Sequence, residues 1–486
     1  MELNEMKKEL FYEPKHAMET VDDAVVKAAD DFCEGYKSYL DFAKIERESV
    51  EFFVAEAEKR GYQEFDNTKK YNAGDKVYFN NRNKAIILCV IGKKSIAEGV
   101  KISAAHIDSP RLDLKPNPLY EDSSLAYFKT HYYGGIKKYQ WTAIPLALHG
   151  VVVKANGETV KVNVGEDDND PQFCVTDLLP HLAQNQMKQT MSEGIQGEQL
   201  NILIGSRPFS KDEGSDKVKL NIIKILNEKY GITEGDFLSA ELELVPAFKA
   251  RDIGFDRSLI GAYGHDDKVC AYPAAQAIFN IENPEYTCLT VLTDKEEIGS
   301  DGNTGLNSSY MKYFIHDLAV MGGVEPWRVL SKSECLSADV NAAYDPSFPE
   351  VSERKNCSFV NNGVVITKYT GARGKSGTSD ASAEYMGKIR RMLNANDVVW
   401  QIGELGKVDA GGGGTVAMYV ANLDIDTIDL GVPVLQCMHQ WKSFQSLMFT
   451  WHIKHLKYFL NRNKTNRNAK LGQSGRTAFL FHNKIG

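Results

Sequence analysis

Apolar and charged positions recur at helical spacing from about Val21 to Gly61, which predicts helix across this stretch with a break at Gly35. KVYFNNRNKAIILCVIG then alternates before running apolar, the pattern of a β-hairpin turning around Asn80–Asn83, and GVKISAAHID reads as a further strand that ends at His106. From about Leu114 the texture changes. Aromatic and β-branched residues dominate YFKTHYYGGIKKYQWTAIPLALHGVVVKANGETVKVNVG, with a hairpin signal at Asn156-Gly157. An acidic EDDND loop, a helical stretch from Asp177 and more strand material follow, up to about Val245. This reads as a mostly β unit set into a longer chain.

From Ala247 onward, helix and strand patterns alternate. KVCAYPAAQAIFNI and GTSDASAEYMGKIRRML have helical periodicity, whereas YTCLTVLTD, VVWQIG and VPVLQCMH are short apolar runs of strand length. Such alternation predicts a parallel-containing α/β sheet, which binds ligands beyond the carboxyl ends of its strands. The Gly411–Gly414 run reads as a turn that admits close backbone approach, and it lacks the strand–GxGxxG–helix context of a dinucleotide site. The residues after His439 fit no helix pattern well.

Bulk properties narrow the function. An apolar fraction of 43% and a charged fraction of 25% over 486 residues allow two or three ordinary globular domains. A net charge of −8 leaves no basic footprint, which argues against nucleic acid or an anionic membrane as partner. MELNEMKKELFYEPKH has no apolar core of the signal-peptide kind, and no apolar run approaches a membrane span. The eight cysteines show no CxxC pair, so reduced buried thiols and a cytoplasmic compartment are expected.

Candidate chemistry lies in five short contexts: His106 in SAAHIDSPRLD, Asp266 in GAYGHDDKVCAY, Glu297 in TDKEEIGSDG, Asp339 in SADVNAAYDP and His439 in LGVPVLQCMH. Nitrogen and oxygen donors of this kind suit zinc, and a pair of ions roughly 3.5–4 Å apart needs a bridging carboxylate. Taken singly, each acid of the set reads more readily as a solvated surface group than as a ligand. The five together, with adjacent acidic pairs that would repel unless neutralised, point to a metal-dependent hydrolase. His106 stands out because Asp108, two residues on, falls on the same face of an extended segment and can fix the ring's tautomer.

At these residues the chain resembles the bacterial members of the M18 metalloaminopeptidases, the aspartyl aminopeptidase and aminopeptidase I group, from its N-terminal helix to about His439. The resemblance implies an α/β co-catalytic zinc peptidase domain of the phosphorylase/hydrolase-like class, formed by 1–112 and 246–486. A β-rich dimerisation domain, 113–245, would be inserted in it. It implies two divalent metal ions, zinc by preference, on His106, Asp266, Glu297, Asp339 and His439, with Asp266 bridging. Asp108 would orient His106 and Glu296 would act as general base. It also implies a homododecamer built from dimers, acting on small peptides, with His181 lent to a neighbouring subunit's site.

Two departures from the family pattern stand out. DVNAAYDPS at Asp339–Ser347 places Ala342 and Asp345 where relatives carry histidines, so charge repulsion argues for neutral or basic substrate N-termini. Beyond His439 the family-like ending is missing. Codons for Leu447–Arg462 can be chosen so that the frame starting at the third base reads DVYMAYKAFKVFFK and then a stop, a family-like segment. A frame-shifting deletion after His439 is therefore expected, with 440–486 a non-native tail that weakens stability or assembly. Two other functions fit less well: an inactive assembly product of such a gene, and another peptidase or deacylase of the same clan.

Overall fold

The computed structural model describes residues 3–209, 214–435 and 442–461. Its architecture is α/β, and a mixed nine-stranded sheet organises most of the chain. From edge to edge the strands are Gln63–Glu64, Lys76–Asn81, Ala85–Val90, Cys288–Thr293, Lys101–His106, Glu334–Ser337, Asp426–Gly431, Val364–Thr367 and Trp400–Ile402. Lys101–His106 sits at the centre, parallel to both of its neighbours. Every residue of the three strands Ala85–Val90, Lys101–His106 and Cys288–Thr293 is buried, because helices cover both faces. Alternate residues serve alternate cores: Ile86, Leu88 and Val90 face one, while Ala85, Ile87 and Cys89 face the other.

The first core is closed by helices Asp23–Phe42, Glu46–Lys59, His265–Phe279, Ala383–Ala395 and Leu447–Leu460, and the second by Tyr310–Met321 and Ala417–Ala421. The expected helix over 21–61 is two helices, and the break falls at Ala43–Ile45 instead of Gly35. There the Glu48 carboxylate accepts from the Lys44 and Ile45 N–H groups and starts the second helix. Gly35 lies within the first helix for a packing reason: a Cβ there would sit 2.7 Å from the Tyr272 hydroxyl.

Residues between Arg111 and Pro246 supply a separate seven-stranded antiparallel sheet, ordered Thr159–Val164, Leu146–Val153, Ala240–Pro246, Arg111–Asp122, Leu125–Tyr133, Ile202–Gly205 and Cys174–Val175. It has its own core, including Leu112, Phe128, Trp141, Leu148 and Leu242, against which helix Lys217–Tyr230 packs. The helical stretch expected from Asp177 is not there. That segment is turns and short 3-10 pieces, with Leu178, Leu179, Leu182, Met187 and Met191 exposed, so its apolar spacing has no core to face.

The chain beyond 441 also corrects an expectation. Lys442–Gln445 pairs antiparallel with Leu259–Ala262, which in turn pairs with Arg251–Ile253. Leu447–Leu460 is a regular helix docked on helices His265–Phe279 and Asp23–Phe42. Its pattern is obscure in sequence because it is buried on several sides: Leu447, Met448, Phe449, His452, His455, Leu456, Phe459 and Leu460 are all inaccessible. A helix apolar nearly all round loses the amphipathic signature. Of the VPVLQCMH run, Pro433–Val434 is strand and Leu435 forms a bridge, while the residues from Gln436 on lie outside the described residues. Among the described residues, no helix is long and apolar enough to cross a membrane.

Candidate metal centre

The candidate residues meet where the central strands end. His106 is the last residue of Lys101–His106 and pairs with Thr293; Glu296 follows three residues after Thr293, and Asp339 two residues after Ser337. Asp266 enters from the first turn of helix His265–Phe279. Parallel pairing thus delivers side chains far apart in sequence to one edge of the sheet.

His106 is fully buried. Its Nε2 lies 3.1 Å from Asp266 Oδ1, 3.8 Å from Glu296 Oε2 and 3.9 Å from Asp339 Oδ1. The donor atoms of His106, Glu296 and Asp339 fall within 4.8 Å of one another. On the other side of the ring, Nδ1 sits 3.2 Å from Asp108 Oδ1 and 3.1 Å from the Asp108 carbonyl. That arrangement leaves the Nε2 lone pair for a metal once a cation occupies the cluster. Asp108 also accepts from the backbone N–H groups of Glu296 and Glu297, each at 3.2 Å, and so ties the histidine to the acidic loop. Ser109 Oγ donates to the Asp266 carbonyl at 2.7 Å, fixing the entry to the helix.

The electrostatics show what the cluster lacks. Burial pushes the Glu296 carboxyl up to about 8; Glu297, Asp108 and Asp266 add to that against the opposing pull of His106. Burial, then Glu296, raises Asp339, and burial, then Asp339, raises Asp267, both well above the carboxylate range. Burial opposes a charge on His106, but its hydrogen bonds with Asp108 and Asp266 outweigh it and raise its pKa. These carboxylates cannot all ionise so close together without a cation. An N/O donor set that needs positive charge, buried at strand ends, fits zinc.

Not every predicted residue joins the cluster. The Glu297 side chain lies against Gly134, where a Cβ would come within 3.3 Å of its carboxylate. Asp108 stands behind His106, away from the donor group. His439 lies outside the described residues, and His181 is exposed in a turn of the segment between Val175 and Ile202. Asp345 accepts from the Ser347 N–H at 2.8 Å, which makes it a turn acid before Pro346. His149, which carries no signal in sequence, is fully buried between Glu48 (2.9 Å) and Glu166 (3.2 Å). Tyr133, also silent in sequence, donates to Asp108 Oδ2 at 2.9 Å.

Comparison with known proteins gives the family of this chain. The family model described as aminopeptidase I zinc metalloprotease (M18) matches residues 39–467. The probable M18 family aminopeptidase 1 of Clostridium acetobutylicum is 49% identical over 445 residues, covering 90% of this chain and 96% of the relative. That of Borrelia garinii subsp. bavariensis is 46% identical over 416 residues, 84% and 90% of the two chains. Among solved structures, the M18 aminopeptidase of Thermotoga maritima superposes with a TM-score of 0.89 at 39% identity, covering 93% of this chain and all of that one. Aminopeptidase I of Clostridium acetobutylicum gives 0.87 at 47% identity, with the same coverage. The S. cerevisiae mApe1 dodecamer, at 19% identity and a TM-score of 0.73, shares the fold.

Proposed function

Because this chain belongs to the aminopeptidase I zinc metalloprotease (M18) family, and is a zinc-dependent aminopeptidase hydrolysing peptide bonds, we propose that His106, Asp266, Glu297, Asp339 and His439 hold two zinc ions at its catalytic centre. Asp266 would be the ligand shared by both ions. When bound, zinc would supply polarisation of the scissile carbonyl and a lowered pKa for water. Glu296 would act as the general base that moves a proton to the departing amine, and Asp108 would keep His106 in register. The observation that carries this reading is the convergence of buried His106 and half-buried Glu296 and Asp339, from the carboxyl ends of three adjacent strands, with buried Asp266 of the neighbouring helix. An inert assembly product is not favoured, since the curated relatives are named as aminopeptidases.

We also infer the surroundings. Residues 1–112 and 246–486 would form the peptidase domain, and 113–245 a dimerisation domain, in a homododecamer that trims small peptides in the cytoplasm. Support comes from the separate antiparallel sheet and from the exposed Leu178, Leu179, Leu182, Met187 and Met191 around His181, an apolar surface suited to a second copy. His181 would complete a neighbouring subunit's centre. The seven cysteines among the described residues are free, which suits a reducing compartment.

The test is Glu296→Gln assayed on a panel of aminoacyl p-nitroanilides, with zinc measured by atomic absorption. Loss of a general base costs about 10²–10⁴-fold in kcat, while zinc content stays at the wild-type level. Near-full turnover in the variant would falsify the assignment of Glu296.

A further inference from the structure

The seven-stranded sheet reaches the catalytic centre through one side chain. Tyr133 ends the strand Leu125–Tyr133, and its hydroxyl donates to Asp108 Oδ2 at 2.9 Å. Asp108 is fully buried, and its two oxygens also serve His106 Nδ1 and the Glu296 and Glu297 N–H groups, each at 3.2 Å. A carboxylate offers about four lone-pair positions, so these four donors saturate it and set its rotation. The phenol ring is clamped in turn. Arg111 lies 3.8 Å above its centroid, and Arg111 is held by Glu46 of helix Glu46–Lys59 at 3.2 Å and by Glu243 at 3.0 Å. Burial, and after it the Asp108 charge, raises the phenol's pKa, so the hydroxyl stays a donor at working pH.

We propose that Tyr133 is a positioning residue for the peptidase reaction. Its hydrogen bond orients Asp108, and through Asp108 it orients both the His106 ring and the Glu296–Glu297 backbone. The inserted sheet is then a structural support of the catalytic geometry as well as an assembly surface. This rests on the reading of Asp108 as the carboxylate that orients His106. A space-filling role for the ring is the competing account, and phenylalanine preserves it, since the contact under Arg111 needs no hydroxyl.

The experiment is a double-mutant cycle on the zinc-loaded protein, with Tyr133→Phe, Asp108→Ala and the double variant. Tyr133→Phe is expected to lower kcat about 10–100-fold, the usual scale for a partner behind a metal ligand, with KM unchanged and the protein still folded at assay temperature. In the Asp108→Ala background the same substitution is expected to add nothing. Wild-type kcat in Tyr133→Phe alongside an impaired Asp108→Ala overturns the proposal alone. So does an equal loss in both backgrounds, because Tyr133 would then act by another route. Wild-type kcat in Asp108→Ala removes the reading of Asp108, and the proposal with it.

Discussion

Acidification should destabilise this protein through a buried histidine of helix Leu447–Leu460. His452 is wholly inaccessible in helix Leu447–Leu460, its ring 4.7 Å from that of His455, and burial pushes its pKa down to about 3. In the unfolded chain a histidine titrates near 6.5. The folded state therefore binds fewer protons between these values, and stability falls as pH drops below about 6.5, continuing towards about 3. Each pH unit in that window costs roughly 1.4 kcal/mol, so pH 5 costs on the order of 2 kcal/mol. Total stabilities of about 5–15 kcal/mol make that a sizeable share. His452→Leu removes the titration and keeps an apolar side chain in the helix. The measurement is the unfolding free energy of both proteins at pH 8, 6.5 and 5, with the pH 8 offset absorbing any packing difference. The variant should gain on the wild type below pH 6.5, by roughly 2 kcal/mol at pH 5. A difference that stays constant across the series would refute the reasoning.

Two further outcomes follow from packing and charge. Phe449 is buried 4.5 Å from Tyr36 and 4.7 Å from Phe444 (centroid distances), so Phe449→Ala should cost about 3–5 kcal/mol in urea unfolding, and a cost under about 1 kcal/mol would mean that the helix is not docked. For His149, burial opposes the charge, but hydrogen bonds with Glu166 and Glu48 raise its pKa above 6.5; burial would raise Glu166, yet the same histidine and Lys44 hold it at about 2. The histidine's contribution is complete below pH 6.5 and fades as pH rises through its raised value, whereas the Glu166 contribution is complete above 4.5 and fades towards 2. His149→Gln should therefore cost most stability between about pH 4.5 and 6.5 and less above it, and a pH-independent cost in thermal unfolding would exclude this account.

Two of the three strands that lead to candidate site residues were legible because they are short and apolar: SAAHID and TVLTD announce both their burial and their carboxyl ends, whereas the four-residue strand Glu334–Ser337 before Asp339 is too short and mixed to do so. The inserted β unit was legible from a change in texture at Leu114. The helix at Leu447–Leu460 was not, since burial on several sides erases the polar stripe that periodicity needs. Apolar spacing from Asp177 misled for the opposite reason, its leucines facing outward with no core beneath them. Tyr133 and His149 could not be found by pattern at all. Each matters through a partner more than twenty residues away, and nothing in YYGG or LALHG announces one.

The order of the central strands also sets a timetable. Lys101–His106 lies between Cys288–Thr293 and Glu334–Ser337, so the strand that ends at His106 leaves a ribosome before either of its neighbours. At about 5–20 residues per second, the interval between His106 and Asp339 is roughly 10–50 s. The segment Arg251–Ala262 that leads into Asp266 is completed later still, because its outer pairing partner is Lys442–Gln445. A peptidase whose centre is assembled last has no cutting edge while its own nascent chain, and those of its neighbours on the polysome, are still exposed. Chain topology by itself would delay activity until the strand Lys442–Gln445 has emerged.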